Sequence, residues 1–119
     1  MNPNRLFVIV EKFRKAIERN LPKFQLTSFS YFPHGSCDDA SDLLGYFLNH
    51  QYKQRFQCVS GLNKSRQSHT WLQQKGLIID ITADQFPSRD PVIVTLDHEF
   101  HNQFYEDGRC RLPSLNGSV

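Results

Sequence analysis

The chain has 119 residues, 39% hydrophobic and 22% charged, with 14 Lys and Arg against 12 Asp and Glu and a net charge of +2. This composition excludes disordered and fibrous classes and fits one globular domain over 1–119, with no room for a second independently folding unit. The small net charge disfavours a nucleic-acid partner, for which a strongly basic domain is expected.

Ten Phe, four Tyr and one Trp can supply a core. The longest apolar runs, 6–10 and 77–79, fall far short of the roughly 20 residues that cross a bilayer, so no membrane partner is expected. The N-terminal apolar stretch is too short for a signal sequence, and a mature cytoplasmic start is expected. Cys37, Cys58 and Cys110 are an odd, sparse set without metal-type spacing, which argues against a disulfide framework and against zinc.

In chain order, Asn2 is an N-cap, Pro3 suits the first helical position, and Leu6, Val10, Phe13, Ile17 and Leu21 form an apolar stripe. The other face carries Lys12, Lys15, Arg19 and Lys23, with Glu11–Lys15 and Arg14–Glu18 at pairing distance along a solvated surface. Pro22 closes this helix, and residues 24–34 read as an extended approach that Pro33 and Gly35 end. Ser36 then caps a second helix, with Asp39 as the acidic partner of a capping box. Ala40, Leu43, Leu44, Phe47 and Leu48 give that helix its apolar stripe as far as about His50.

From Arg55 the pattern turns to strands at 55–60, 68–74, 77–82 and 92–96. Helices followed by consecutive strands predict an α+β domain, N-terminal helices packed on an antiparallel sheet. Residues 107–119, rich in Gly, Pro, Ser and Asn, read as an irregular tail.

Cys37 follows the cap of the second helix, where free amides and the positive dipole end favour a thiolate. Asp38 and Asp39 oppose that effect. Gly35 leaves room for a substrate carbonyl near the Cys37 amide. If residues 73–76 form a four-residue hairpin loop, Leu72 pairs with Leu77 and His69 lies opposite Asp80. Asp80 then orients the imidazole and leaves its other nitrogen to deprotonate Cys37. Taken singly, each residue has a bland structural reading, but a carboxylate in the apolar stretch 77–81 needs a partner if buried, and His69 supplies one.

Gly35-Ser36-Cys37 opening a helix, His69-Thr70-Trp71 on one strand and Asp80-Ile81-Thr82 on the next resemble the transglutaminase-like branch of the papain-like thiol superfamily. The resemblance covers residues 30–86. It implies a papain-like core with Cys37 as nucleophile, His69 as general acid and base, and Asp80 as the orienting carboxylate, without cofactor or metal. The segment 31–34 lacks the Trp found in some true transglutaminases, and no papain-like Gln precedes Cys37. Gln85 is a candidate amide donor to the oxyanion, and Trp71 is expected to shield the histidine.

The expected function is a cysteine-dependent acyl-transfer enzyme, a peptidase, amidase or transglutaminase-like thiol hydrolase that acts on a peptide, protein or small amide through a thioester. The alternative is an inactive papain-like-fold protein that serves as a protein-binding module. Asp97-His98-Glu99-Phe100-His101 lacks an obvious third metal ligand and reads as a surface helix or strand edge. His34 reads as a solvent-facing loop residue, Cys58 as core and Cys110 as exposed.

Overall fold

The computed structural model describes residues 1–21 and 29–115. Helix α1 (Pro3–Asn20) starts as the sequence predicts, with the Asn2 side chain accepting from the Arg5 amide at 2.8 Å. Leu6, Val10 and Ile17 are buried along the expected stripe.

Arg14 departs from its expected place on the solvated surface, because four residues after Val10 and three before Ile17 is a position on the buried stripe. Its guanidinium donates to the Ile81 carbonyl at 2.6 Å and holds Asp84 through two bonds of 2.9 and 2.8 Å. The pair with Glu18 exists at 3.7 Å but is secondary. Lys12, Lys15 and Arg19 are exposed as expected, and Lys23 lies outside the described residues.

Of the predicted extended approach at 24–34, the described part, from Phe29, runs through turns instead. The amides of Phe32 and His34 bond back to the carbonyls of Phe29 and Tyr31, which folds the segment on itself. Helix α2 (Cys37–Gln51) follows. Ser36 stands at the cap position, but its hydroxyl donates to the Pro33 carbonyl at 2.8 Å, so the predicted capping box does not form. Ala40, Leu44 and Leu48 are buried and Leu43 and Phe47 partly so, as their spacing predicts.

Strands β1 (Gln57–Leu62), β2 (Ser68–Gln74), β3 (Leu77–Asp80), β4 (Ile93–Thr95) and β5 (Glu106–Arg111) form an antiparallel sheet in the order β4-β3-β2-β1-β5. The chain is thus α+β, with two helices on one face of a five-stranded sheet. β5 corrects the expectation of an irregular tail from 107. Its side chains are mostly exposed and show no apolar pattern, yet its backbone pairs with β1, which would otherwise be a free edge.

The β2–β3 hairpin is also tighter than predicted. Lys75 and Gly76, at φ 49° and 83°, make a two-residue turn, and Leu72 pairs with Ile79 rather than Leu77. The shift is two residues, so every side chain keeps its predicted face. On this register Asp80 lies opposite Trp71 and diagonal to His69, not directly across from it.

Alternation divides the sheet into two unlike faces. Cys58, Leu72 and Ile79 meet α1 and α2 in a core of mixed aliphatic and Phe side chains that includes Leu6, Val10, Leu44, Leu48 and Phe56. Trp71 and Ile78 point the other way, into an aromatic layer with Phe104, Phe86 and Phe100. Among the described residues, no helix is long and apolar enough to cross a membrane.

Candidate functional site

His69 projects from β2 into the aromatic layer, and Asp80 ends β3 on the same side. Both are buried, and His69 Nε2 lies 2.6 Å from Asp80 Oδ2. The other carboxylate oxygen accepts from the Thr82 amide at 3.0 Å, a local bond that fixes Asp80 as the chain leaves the strand. The half-buried Cys37, at the start of α2, is near enough to His69 to favour its charged form.

The start of α2 is clamped beside β2, which explains that approach. Thr70 Oγ1 donates to Asp38 Oδ1 at 2.6 Å, and Ser41 Oγ donates to the Thr70 carbonyl at 3.4 Å. The two residues that flank His69 and Cys37 in sequence therefore hold their elements together.

Gln85 sits in a short 3-10 turn, Ala83–Gln85, with its side-chain amide 3.0 Å from His69 Nδ1. Its N–H donates to a neutral imidazole, and a flip of the amide would let its oxygen accept from an imidazolium. The residue expected to donate to an oxyanion thus faces the histidine ring. Arg14, through Asp84 and the Ile81 carbonyl, anchors the loop that carries it. Gly35 adopts φ +72°, a conformation that favours glycine, and the space where its Cβ would stand is open.

Trp71 packs 5.7 Å from His69 and 4.7 Å from His101, ring centre to ring centre, which fits the shielding role expected of it. Phe86 and Phe104 cover His69 at 5.1 and 5.3 Å. Gly61 lies across β1–β2 from His69, and a Cβ there would collide with the Phe104 carbonyl. That glycine lets the segment bearing His101 close onto the sheet.

His101 is the residue the sequence reading missed. It is buried, and its Nε2 donates to the same Asp80 Oδ2 at 2.7 Å. The polar neighbours Asp97, Glu99, Asn102 and Gln103 disguise it as surface. The available signal was Phe100 and Phe104, which flank the histidine and put an apolar side into that segment. His98, by contrast, donates to the Gly76 carbonyl at 2.6 Å beside the hairpin turn. His34 is exposed, Cys58 buried and Cys110 exposed, as expected, and all three cysteines are free thiols.

The electrostatics follow from these contacts. Burial opposes charge on His69, but its bond to Asp80 and the charges of Asp80 and Cys37 outweigh it and raise its pKa to about 9. Burial likewise opposes ionisation of Asp80, yet the bonds from His101 and His69 hold its pKa down to about 2. Burial pushes the Cys58 thiol up to about 12, which suits a core residue.

Among the described residues, His69, Asp80 and His101 also bring three possible metal-ligand atoms within 4.8 Å of one another. Both histidine nitrogens lie at hydrogen-bond distance from one oxygen, whereas two ligands of a tetrahedral zinc stand about 3.3 Å apart. The group fits two N–H donors on one carboxylate better than it fits a metal. Comparison with protein-family models, with curated proteins and with solved structures finds no match to this chain.

Proposed function

We propose that the protein is a cysteine-dependent acyl-transfer enzyme built on a papain-like, transglutaminase-like core, acting on an amide bond of a peptide, protein or small molecule. One observation carries this reading: His69 is bonded to a buried carboxylate, and the half-buried Cys37 at the start of a helix is near enough to raise its pKa. Asp80 orients the ring and stabilises its positive charge, so that His69 can accept the Cys37 proton.

The thiolate sulfur attacks the carbonyl carbon, and the carbonyl electron pair moves to oxygen. As it returns, the C–N bond breaks, and His69 gives its proton to the departing amine. Water, or a second amine, then attacks the thioester with His69 as base. That step releases acid or new amide and restores the thiol. Gly35 leaves open space for the carbonyl to approach.

Intact-mass spectrometry after incubation with a small panel of p-nitrophenyl esters and anilides tests the proposal. An acyl adduct on Cys37, absent in Cys37→Ser and strongly slowed in His69→Ala, is the expected result. Acylation that survives Cys37→Ser would overturn it.

A further inference from the structure

The two histidines compete for one oxygen at nearly equal distances, 2.6 and 2.7 Å, but their other nitrogens differ. His69 Nδ1 has the Gln85 amide beside it. His101 Nδ1 is buried, with no hydrogen-bond partner among the described residues. Since an ionised carboxylate only accepts, His101 must carry its hydrogen on Nε2, which leaves Nδ1 as a bare lone pair.

Charged and titratable groups surround the ring. Asp80 of β3 and His69 of β2 face His101 from the sheet. Arg89, Asp90, Asp97 and Glu99 line the outer pocket that His101 borders, and their carboxylates would favour a charged ring. Trp71 and Phe100, with ring centres at 4.7 and 4.9 Å, keep the imidazole in apolar surroundings.

We infer that His101 is a positioning residue, an Nε2–H donor that fixes the Asp80 carboxylate and tempers its grip on the His69 proton. Its value to catalysis rests on the acyl-transfer reading, whereas the donor role itself does not. Each N–H bonded to Oδ2 withdraws charge from that oxygen. Removing one makes the carboxylate a stronger acceptor, so His69 should keep its proton to higher pH.

NMR titration of the full chain labelled with 15N at histidine tests this. In wild type, the His101 tautomer should carry its hydrogen on Nε2. In His101→Phe the His69 midpoint should rise by about one pH unit, and His101→Gln, which retains an N–H donor, should return it close to wild type. An Nδ1–H tautomer at His101, or a His69 midpoint unchanged or lowered in a folded His101→Phe, would overturn the inference. Should His101→Phe fail to fold, the wild-type tautomer and the His101→Gln midpoint still decide it. Alkylation of Cys37 in the same samples separates the two ideas. An inert Cys37 beside an Nε2–H His101 and a shifted His69 sinks the acyl-transfer reading and upholds the donor role.

Discussion

The two faces of the sheet are built on different principles, and β2 shows both within four residues. Leu72 turns toward the helices, into a core of mixed aliphatic and Phe side chains shared by α1, α2 and three strands. His69 and Trp71 turn away from them, into a layer closed by short segments around residues 83–86 and 100–104. Spread over many similar contacts, the first face tolerates the loss of any one of them as a graded cost. The second concentrates on one buried carboxylate that accepts from His69, His101 and the Thr82 amide. A loss there is felt by every partner at once, because each is left buried without its acceptor.

Substitution at the centre of the second face should have the largest effect. Asp80→Ala strands three donors and is expected to cost about 3–5 kcal/mol in urea denaturation, the range for breaking a buried charge pair. A loss below about 1 kcal/mol would mean that the cluster is not held by its carboxylate. On the helix face, Leu48→Ala should cost about 3 kcal/mol through cavity formation, while Cys37 in the folded protein alkylates at its wild-type rate. A large change in that rate would show that the two faces are not separable.

The pH dependence of stability sharpens the contrast with a smaller effect. Because folding raises the His69 pKa from 6.5 to about 9, its contribution is complete below pH 6.5 and is lost as pH rises through 9. Asp80 is lowered from 3.8 to about 2, so its contribution is complete above pH 3.8 and is lost as pH falls through 2. Urea midpoints should therefore form a plateau between about pH 4 and 6.5, with a decline on the order of 2 kcal/mol toward pH 9. In His69→Phe the alkaline decline attributable to this pair should be missing.

The helix face was legible in the sequence because periodicity reports directly on burial. The stripes Leu6-Val10-Ile17 and Ala40-Leu44-Leu48 lie where their spacing puts them. Arg14 escaped that reading because its charge suggested solvent, although its position on the stripe did not. β5 escaped because an edge strand is defined by backbone pairing rather than by side-chain pattern. The proximity of His69 and Asp80 was found despite a mistaken turn, since a slip of two residues preserves the face. A slip of one would have destroyed the argument. His101 lies 21 residues beyond Asp80 in a polar stretch, and no local rule reaches that far.

The central claim is that His69 activates Cys37, and the rate of iodoacetamide alkylation at Cys37 tests it most directly. Peptide mass spectrometry at pH 6.5 would compare wild type with His69→Ala. Since His69 keeps its proton up to about pH 9, the intact pair should make wild type at least about tenfold faster. Equal rates in the two proteins would contradict the claim and leave Cys37 a bystander beside a purely structural His–Asp–His cluster.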